Sequence, residues 1–213
     1  MEINADFTAR TLVRFADAPW TPSPSPGVER KMLDRIGGEV ARATSLVRFA
    51  PGSAFAPHTH GGGEEYLVLE GTFQDESGDY PAGSYVRNPP TSRHTPAAAE
   101  GATIFVKLHQ FDPSDRTPVH ERTDEARLLF ANAEEEVRIR ILTPHEELRL
   151  DASGGAEIFL LDGAVTEAGD TLAPWDWLRL PPGSTPLIAA GPHGAKLWTK
   201  TGHLSARPPA APA

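Results

Sequence analysis

The chain contains an internal repeat with one constant offset, and this repeat is its strongest constraint on the fold. Gly71 and Gly163 are 92 residues apart, and Pro89 and Pro181 are separated by the same 92 residues. At this offset, without a gap, GEEYLVLEG in the first half aligns with GAEIFLLDG in the second. A repeat of this kind is typical of a duplicated folding unit. We therefore expect two similar units, each of about 100 residues and able to bury a core.

The composition of both halves favours strands. The 213 residues include 21 prolines and 19 glycines, which separate short runs of alternating apolar residues. Such punctuation is typical of many short strands joined by turns. We predict an N-terminal unit over residues 1–112, including an arm over 1–40, and a C-terminal unit over 113–205. The polar segment after Phe111 predicts a linker, and the closing ARPPAAPA predicts a disordered tail over 206–213.

Potential metal ligands are concentrated in the stretch GSAFAPHTHGGGEEYLVLEG. His58 and His60 are two residues apart, so on a strand both side chains leave the same face. Three glycines then allow a tight turn, after which Glu64 opens the returning strand. His94 follows a Pro-Pro pair and comes from a separate strand. Three imidazoles and one carboxylate suit iron, manganese, nickel, copper or zinc.

These residues also carry a family resemblance. Their spacing, Gly52-x5-His58-x-His60-x3-Glu64-x6-Gly71, matches the first cupin motif at every fixed position. The surrounding segments TSLVRFAPGS and YPAGSYVRNPP are similar to the ChrR-like branch of the cupins. The resemblance implies an all-β fold, a bicupin with two double-stranded β-helix (jelly-roll) barrels in one chain. It also implies that one divalent transition metal is held by His58, His60, Glu64 and His94.

The second cupin motif is met less completely than the first. Gly83, Pro89 and His94 stand at its fixed positions, but Thr91 replaces the usual glycine and Ala98 replaces the usual asparagine. Both departures concern the geometry of turns, so they leave the predicted histidine ligand in place.

The second unit lacks the predicted ligands. At the 92-residue offset, apolar residues occupy the positions of the three histidines and the glutamate: Leu150, Ala152, Ala156 and Pro186. Glu157 aligns with Glu65 and not with the ligand position, so we interpret it as structural. Trp175, Trp177 and Trp198 are interpreted as packing residues. We therefore expect one metal ion per chain, bound in the N-terminal unit.

Three residues near the predicted ligands are candidates for catalytic roles: Arg48, Tyr66 and Arg87. A guanidinium beside the metal could bind a substrate carboxylate or stabilise developing negative charge. Arg179 repeats Arg87 in the metal-free unit, which equally favours a structural role for Arg87. Alternation along the strands predicts a mostly apolar pocket around the metal. Its lining residues are expected to be Tyr66, Val68, and Val86 or Tyr85.

Three further features are interpreted as lying outside the site. The hairpin TFQDESGDYPA has carboxylates that we expect to be solvated surface charges. His109 lies on a later strand and is expected to be a packed or exposed residue. The segment TPSPSPGVERKML is expected to begin as a proline-rich loop.

Two functions remain open. The ChrR-like branch includes proteins that resemble dioxygenases acting on carbon–carbon bonds of small aromatic or diketone substrates, and an apolar pocket favours an oxygenase of this kind. The branch also includes regulators in which a metal-binding cupin follows a zinc module that needs cysteines. This chain has no cysteine, so as a regulator it could act only as a free-standing metal or oxidant sensor. A metal-free module for sugars or other small ligands conflicts with the intact ligand set.

Composition narrows the classes of partner. The net charge of −9 and the pI of about 5.3 disfavour nucleic acids and anionic membranes, which bind clustered Lys and Arg. The start MEINADFTARTLVRF lacks a signal-peptide pattern, and no apolar run is long enough to cross a bilayer. We expect a cytoplasmic protein that binds a small-molecule substrate, with homodimerisation left open.

Overall fold

The structure is a computed structural model that describes residues 1–206 and 211–212. Two compact units are present. Unit 1 contains residues 1–5, 19–124 and 211–212, and unit 2 contains residues 6–18 and 125–206. The predicted disordered tail, 206–213, lies for the most part outside the described residues.

Strands account for most of the described chain. Up to residue 124 they are β1 (Glu2–Ile3), β2 (Thr11–Val13), β3 (Thr21–Pro22), β4 (Val28–Gly37), β5 (Ala41–Phe49), β6 (Ser53–Ala54), β7 (His58–Thr59), β8 (Glu64–Asp75), β9 (Gly78–Pro81), β10 (Ser84–Asn88), β11 (Arg93–His94), β12 (Ala97–Ala98), β13 (Ala102–Leu108) and β14 (Val119–Arg122). The later elements are β15 (Arg127–Ala131), β16 (Glu136–Leu142), β17 (Glu147–Arg149), β18 (Ala156–Glu167), β19 (Asp170–Leu172), β20 (Trp177–Leu180), β21 (Leu187–Thr201) and the short helix α1 (His203–Ala206).

Unit 1 is organised around β8. The main strand order is β1-β4-β5-β13-β8-β10-β14, and β7 forms a separate ladder with β11. The first half of β8 pairs with β10 and β13, whereas its second half pairs with β9 and β12. One long strand therefore serves both sheets of the jelly roll. Its inward side chains join an interior cluster that is rich in aromatic residues, including Phe49, Tyr66 and Phe73.

Unit 2 has the corresponding arrangement around β18. Its strand order is β15-β16-β21-β18-β20-β2, with β17 and β19 paired at the margins. The interior is a cluster of aliphatic side chains, including Leu150, Ile158, Leu160 and Leu197. The predicted all-β fold of two jelly-roll barrels in one chain is confirmed.

The repeat is visible in backbone geometry as well as in sequence. Gly71 and Gly163 both have positive φ, at 70° and 79°. A Cβ atom on Gly71 would collide with the carbonyl oxygen of Gly101, and one on Gly163 would collide with that of Gly194. Glycine is required at both positions because the next strand passes too close for a side chain.

The edges of the two units differ from the predicted boundaries. Strand β2 pairs with β20, so residues 6–18 belong to unit 2, although the sequence predicted them in the arm of the first unit. Strand β14 pairs with β10, so residues 113–124 belong to unit 1 and not to the second unit. Periodicity indicates that a segment is a strand, but it does not identify the strand with which the segment pairs.

Among the described residues, no helix is long and apolar enough to cross a membrane.

Candidate metal centre

The four predicted ligands come together within unit 1. His58 on β7 lies directly opposite His94 on β11. His60 follows β7, and Glu64 is the first residue of β8, after the glycine turn. The three histidines each offer a ring nitrogen, and these nitrogens lie within 4.8 Å of one another. His60, Glu64 and His94 are buried, whereas His58 is exposed.

The distances from Glu64 fit a metal ion better than they fit hydrogen bonds. Its Oε2 atom lies 3.5 Å from Nε2 of His60 and 3.6 Å from Nε2 of His94. Both distances are too long for a good hydrogen bond. Two neighbouring ligand atoms that are each about 2.1 Å from one ion are separated by roughly 3.0–3.4 Å. The observed distances are therefore close to those of neighbouring ligands around one ion.

Unsatisfied atoms point to the same conclusion. The Nε2 atoms of His60 and His94 are buried, and neither has a hydrogen-bond partner. A buried polar atom without a partner is costly, and in native proteins it usually marks a missing ligand, ion or water. A divalent transition metal would satisfy both nitrogens, so the residues present fit such an ion.

Outer contacts fix the orientation of the histidines. Nδ1 of His94 lies 3.2 Å from Oδ2 of Asp75, whose Oδ1 accepts a hydrogen bond from the Tyr80 hydroxyl at 3.1 Å. Nδ1 of His58 lies 3.1 Å from the carbonyl oxygen of Ala56. A proton on each Nδ1 leaves Nε2 free for a metal, as in other carboxylate–histidine–metal arrangements. The prediction that the hairpin carboxylates are solvated is wrong for Asp75, whose side chain is 5% exposed.

Burial shapes the electrostatics of the ligand set. Desolvation is the main cause that lowers the pKa of His60 to about 4, and the nearby His58 and His109 lower it further. Its imidazole is therefore neutral near pH 7. Burial also raises the pKa of Glu64, while a hydrogen bond from Asn88 at 3.1 Å acts in the opposite direction. A neutral imidazole and a buried carboxylate without a counter-charge are both suited to bind a cation.

Three of the four candidate ligands, His58, His60 and Glu64, line a cavity of about 310 Å³. Its walls are mostly apolar and include Val47, Phe49, Phe55, Phe73, Ile104 and Leu108. The volume is at the lower end of the range for small-molecule sites, and an apolar wall with a few polar groups is typical of them. The arrangement can therefore place a small, mostly apolar molecule beside a metal ion.

Comparison with known proteins agrees with this geometry. Residues 8–112, just under half of the chain, match the family model described as the ChrR Cupin-like domain. Over this segment the chain is similar to the ChrR-like branch of the cupins. The matched segment contains all four residues of the candidate metal centre.

One curated relative and two solved structures illustrate the similarity. The acetylacetone-cleaving enzyme of Acinetobacter johnsonii is 29% identical over 111 residues, which cover 51% of this chain and 72% of that enzyme. A bacterial pirin from Escherichia coli, solved in complex with nickel(II), has a TM-score of 0.69 at 16% identity and covers 96% of this chain and 100% of its own. The salicylate 1,2-dioxygenase of Pseudaminobacter salicylatoxidans has a TM-score of 0.62 at 11% identity, with coverages of 92% and 84%. At these identities the two structures show a shared fold only.

Arg48 does not face the cavity beside the candidate ligands. Its side chain is 47% exposed, its Nη2 lies 2.6 Å from Oε2 of Glu29, and its guanidinium stacks 4.4 Å from the ring centroid of Trp20. This placement does not favour the predicted role beside the metal. Strand alternation directs Arg48 outward, whereas its neighbour Val47 lines the cavity.

Arg87 also lies away from the ligands. It is buried, with its Nη1 3.4 Å from Glu65 and its Nη2 3.1 Å from Asp115, and it stacks 4.2 Å from the ring centroid of Phe111. Glu65 lies on the face of β8 opposite Glu64, because adjacent side chains on a strand point to opposite faces. These ion pairs favour a structural role for Arg87 over the predicted catalytic role.

Most of the residues predicted to line the pocket point into the barrel, but they do not form the walls of the cavity. Tyr66, Val68 and Val86 join the interior cluster of unit 1, but the walls of the cavity are formed by other residues. Tyr85 lies on the outer face, where its hydroxyl donates a 2.7 Å hydrogen bond to Glu65. The Tyr66 hydroxyl is buried and has no hydrogen-bond partner. Desolvation, with Glu64 nearby, raises its pKa well above the ordinary range, so it stays protonated.

His109 is a residue of the cavity that the sequence interpretation left out. It lines the cavity with the ligands, and its φ of 56° lies in the left-handed region. Its ring packs so closely on Gly62 that a Cβ there would collide with it. Burial lowers the pKa of His109. The signal was the glycine turn itself, because three consecutive glycines allow another segment to approach closely.

Proposed function

We propose that this protein is a metal-dependent oxygenase of the cupin type that cleaves a carbon–carbon bond of a small diketone or aromatic ketone. The observation that carries the proposal is that His58 and His60 of the histidine cluster line a mostly apolar cavity of about 310 Å³. A structural metal site would be closed by protein ligands, whereas a site with access to a cavity leaves room for substrate.

Each part of the chain has a distinct task in this proposal. His58, His60, Glu64 and His94 would hold the ion, and Asp75 and the Ala56 carbonyl keep two of the imidazoles oriented. The apolar walls exclude water and hold the body of the substrate. A bound redox-active ion such as Fe(II) would supply Lewis acidity toward substrate oxygens and a path for electrons to dioxygen.

The curated relative supports this reaction class. It is named for cleavage of acetylacetone, a β-diketone, and its similarity covers 51% of this chain. Insertion of both atoms of O₂ during cleavage of one carbon–carbon bond converts a β-diketone into a carboxylic acid and a 2-oxoaldehyde. All atoms balance without a further reductant, so the chain would need no second cofactor.

The test begins with metal analysis of protein purified without added metal. Chelator-stripped protein is then reconstituted with Fe(II), Mn(II), Ni(II), Cu(II) and Zn(II), and oxygen uptake is measured with a series of β-diketones and aryl ketones. We expect uptake with at least one redox-active ion, matched mole for mole by carboxylic acid product. His60→Ala, treated identically, should show no uptake.

A different result would replace the proposal. If the native metal is zinc and no reconstituted form consumes oxygen with any substrate, the free-standing metal or oxidant sensor becomes the better interpretation. In that case metal binding should alter the oligomeric state or stability of the protein without any turnover.

A further inference from the structure

A second polar feature of the cavity lies on β4, away from the metal ligands. Val28 and Arg30 are two residues apart on β4, and they lie opposite Phe49 and Val47 on β5. All four line the same cavity. Arg30 therefore occupies an inward position on β4, opposite an apolar stretch of β5.

Arg30 lacks the partners that an arginine usually has at such a position. Its Nε atom is buried without a hydrogen-bond partner, and no carboxylate of the described residues forms an ion pair with its guanidinium. Its neighbour Arg35 is different, because Arg35 donates hydrogen bonds to the carbonyl oxygens of Gly38 and Glu39. Burial, together with the charge of Arg30, lowers the pKa of Arg35, which places the two cations near each other.

Unit 2 contains arginines that do have a carboxylate partner within the chain. There Arg138 lies 2.6 Å from Glu136, and Arg140 lies 3.6 Å from the same carboxylate. In the cavity of unit 1, the acidic lining residues are Glu39 and Glu64, and Glu64 is committed to the metal centre. The cavity thus combines a half-buried guanidinium with a cationic neighbour and a site for a divalent cation.

We propose that the substrate carries a carboxylate that pairs with the guanidinium of Arg30 while its keto oxygens face the histidine cluster. A planar guanidinium binds a carboxylate with two parallel hydrogen bonds, and the Nε atom is one of the donors in that arrangement. The substrate class is therefore a small keto or diketo acid with an apolar body. The second half of this inference rests on the proposed oxygenase function, whereas the binding of a carboxylate does not.

The experiment measures binding without turnover. Zinc-loaded protein is titrated by calorimetry, under argon, with 4-phenyl-2,4-dioxobutanoate and with its methyl ester, which differ in the charged group. Hydrogen bonds to charged groups contribute about 1.5–3 kcal/mol, so the acid should bind roughly 10- to 100-fold more tightly than the ester. The preference should shrink to less than about threefold in Arg30→Gln and be intermediate in Arg30→Lys.

Arg48→Gln is the matched control, because Arg48 is the next arginine along the sheet but points outward to Glu29. It should keep the full preference for the acid. Metal content and thermal midpoint are measured for every variant, so that loss of the fold is not mistaken for loss of the contact. Equal affinity of the wild-type protein for acid and ester would overturn the inference, and this comparison does not depend on any variant. A preference that survives in Arg30→Gln would also overturn it, because the metal alone would then explain the preference.

The two proposals fail in different ways. If the protein takes up oxygen with neutral diketones but shows no preference for the acid over the ester, the oxygenase proposal stands and Arg30 has no part in it. Tight, Arg30-dependent binding of the acid without oxygen uptake by any metal form would leave the carboxylate site standing and remove the oxygenase.

Discussion

The two barrels differ most where the first holds its candidate metal ligands. His58, His60 and Glu64 of unit 1 correspond at the 92-residue offset to Leu150, Ala152 and Ala156 of unit 2. These three residues are at most 5% exposed and belong to the aliphatic core. The same backbone position thus supports a polar cluster in one barrel and close packing in the other.

The supporting contacts were replaced together with the ligands. Asn88, which donates a hydrogen bond to Glu64, corresponds to Leu180. Tyr80, which donates a hydrogen bond to Asp75, corresponds to Leu172. Asp75 itself corresponds to Glu167, whose carboxylate pairs with Arg10 at 2.8 Å. A polar network that has lost its ion would leave buried groups unsatisfied, so partial loss is worse than complete replacement.

The outer face of the two barrels has changed less. Tyr85 donates to Glu65, and Trp177, at the corresponding position, donates a 2.9 Å hydrogen bond from Nε1 to Glu157. Arg87 stacks on Phe111, and Arg179 stacks on Phe7 with its guanidinium 3.7 Å from the ring centroid. The comparison indicates that this outer network maintains the barrel, whereas the inner network supports the candidate metal centre.

The largest expected effect is on metal binding. His60→Ala should lower metal affinity by more than about 100-fold, because it removes a buried imidazole from the ligand set. Metal content by mass spectrometry after exhaustive dialysis should fall from about one ion per chain to almost none. His193→Ala, an exposed histidine of unit 2, is the control and should retain the ion. About two ions per wild-type chain would contradict the contrast between the barrels.

Truncation at equivalent positions should give opposite results in the two barrels. Leu150→Ala removes a buried side chain from an apolar core and should lower the free energy of unfolding by about 2–5 kcal/mol, with metal content unchanged. His58→Ala removes an exposed side chain and should cost metal while leaving the stability of metal-free protein nearly unchanged.

Urea unfolding of chelator-treated protein measures the free energy of unfolding, and mass spectrometry measures the metal content. Loss of metal from Leu150→Ala would show that the second barrel supports the site of the first. A fall of several kcal/mol in metal-free His58→Ala would show that the imidazole has a packing role.

An intermediate effect is expected from the residue that orients His94. Asp75→Asn should reduce metal affinity by about 10- to 100-fold, because the carboxylate no longer fixes the imidazole and raises its basicity. Competition with a fluorescent chelator measures this affinity. Glu167→Gln, the equivalent change in unit 2, should not alter it. Equal affinity of Asp75→Asn and the wild-type protein would remove Asp75 from the metal centre.

The sequence predicts the candidate ligands but not the groups around them, for physical reasons. Fixed spacing within one hairpin identifies His58, His60 and Glu64, because local geometry nearly determines their directions. Asp75 and Arg30 depend on which strands become neighbours, and a single sequence does not reveal that pairing. The proline-rich start of TPSPSPGVERKML also obscures β4, which begins at Val28 and carries Arg30.

The smallest expected effect concerns Tyr66, which corresponds to Ile158 in the metal-free barrel. Its hydroxyl is buried without a partner, and an unsatisfied buried hydroxyl destabilises the folded state. Tyr66→Phe should therefore stabilise metal-free protein by up to about 1 kcal/mol in urea unfolding.

Tyr80→Phe is the matched control, because the Tyr80 hydroxyl does have a partner in Asp75 and its removal should destabilise the protein. A loss of stability in Tyr66→Phe greater than that in Tyr80→Phe would show that the Tyr66 hydroxyl is satisfied in solution. Unchanged stability combined with a large loss of oxygen uptake would instead support the predicted catalytic role of Tyr66, because the hydroxyl would then find its partner only in the bound substrate.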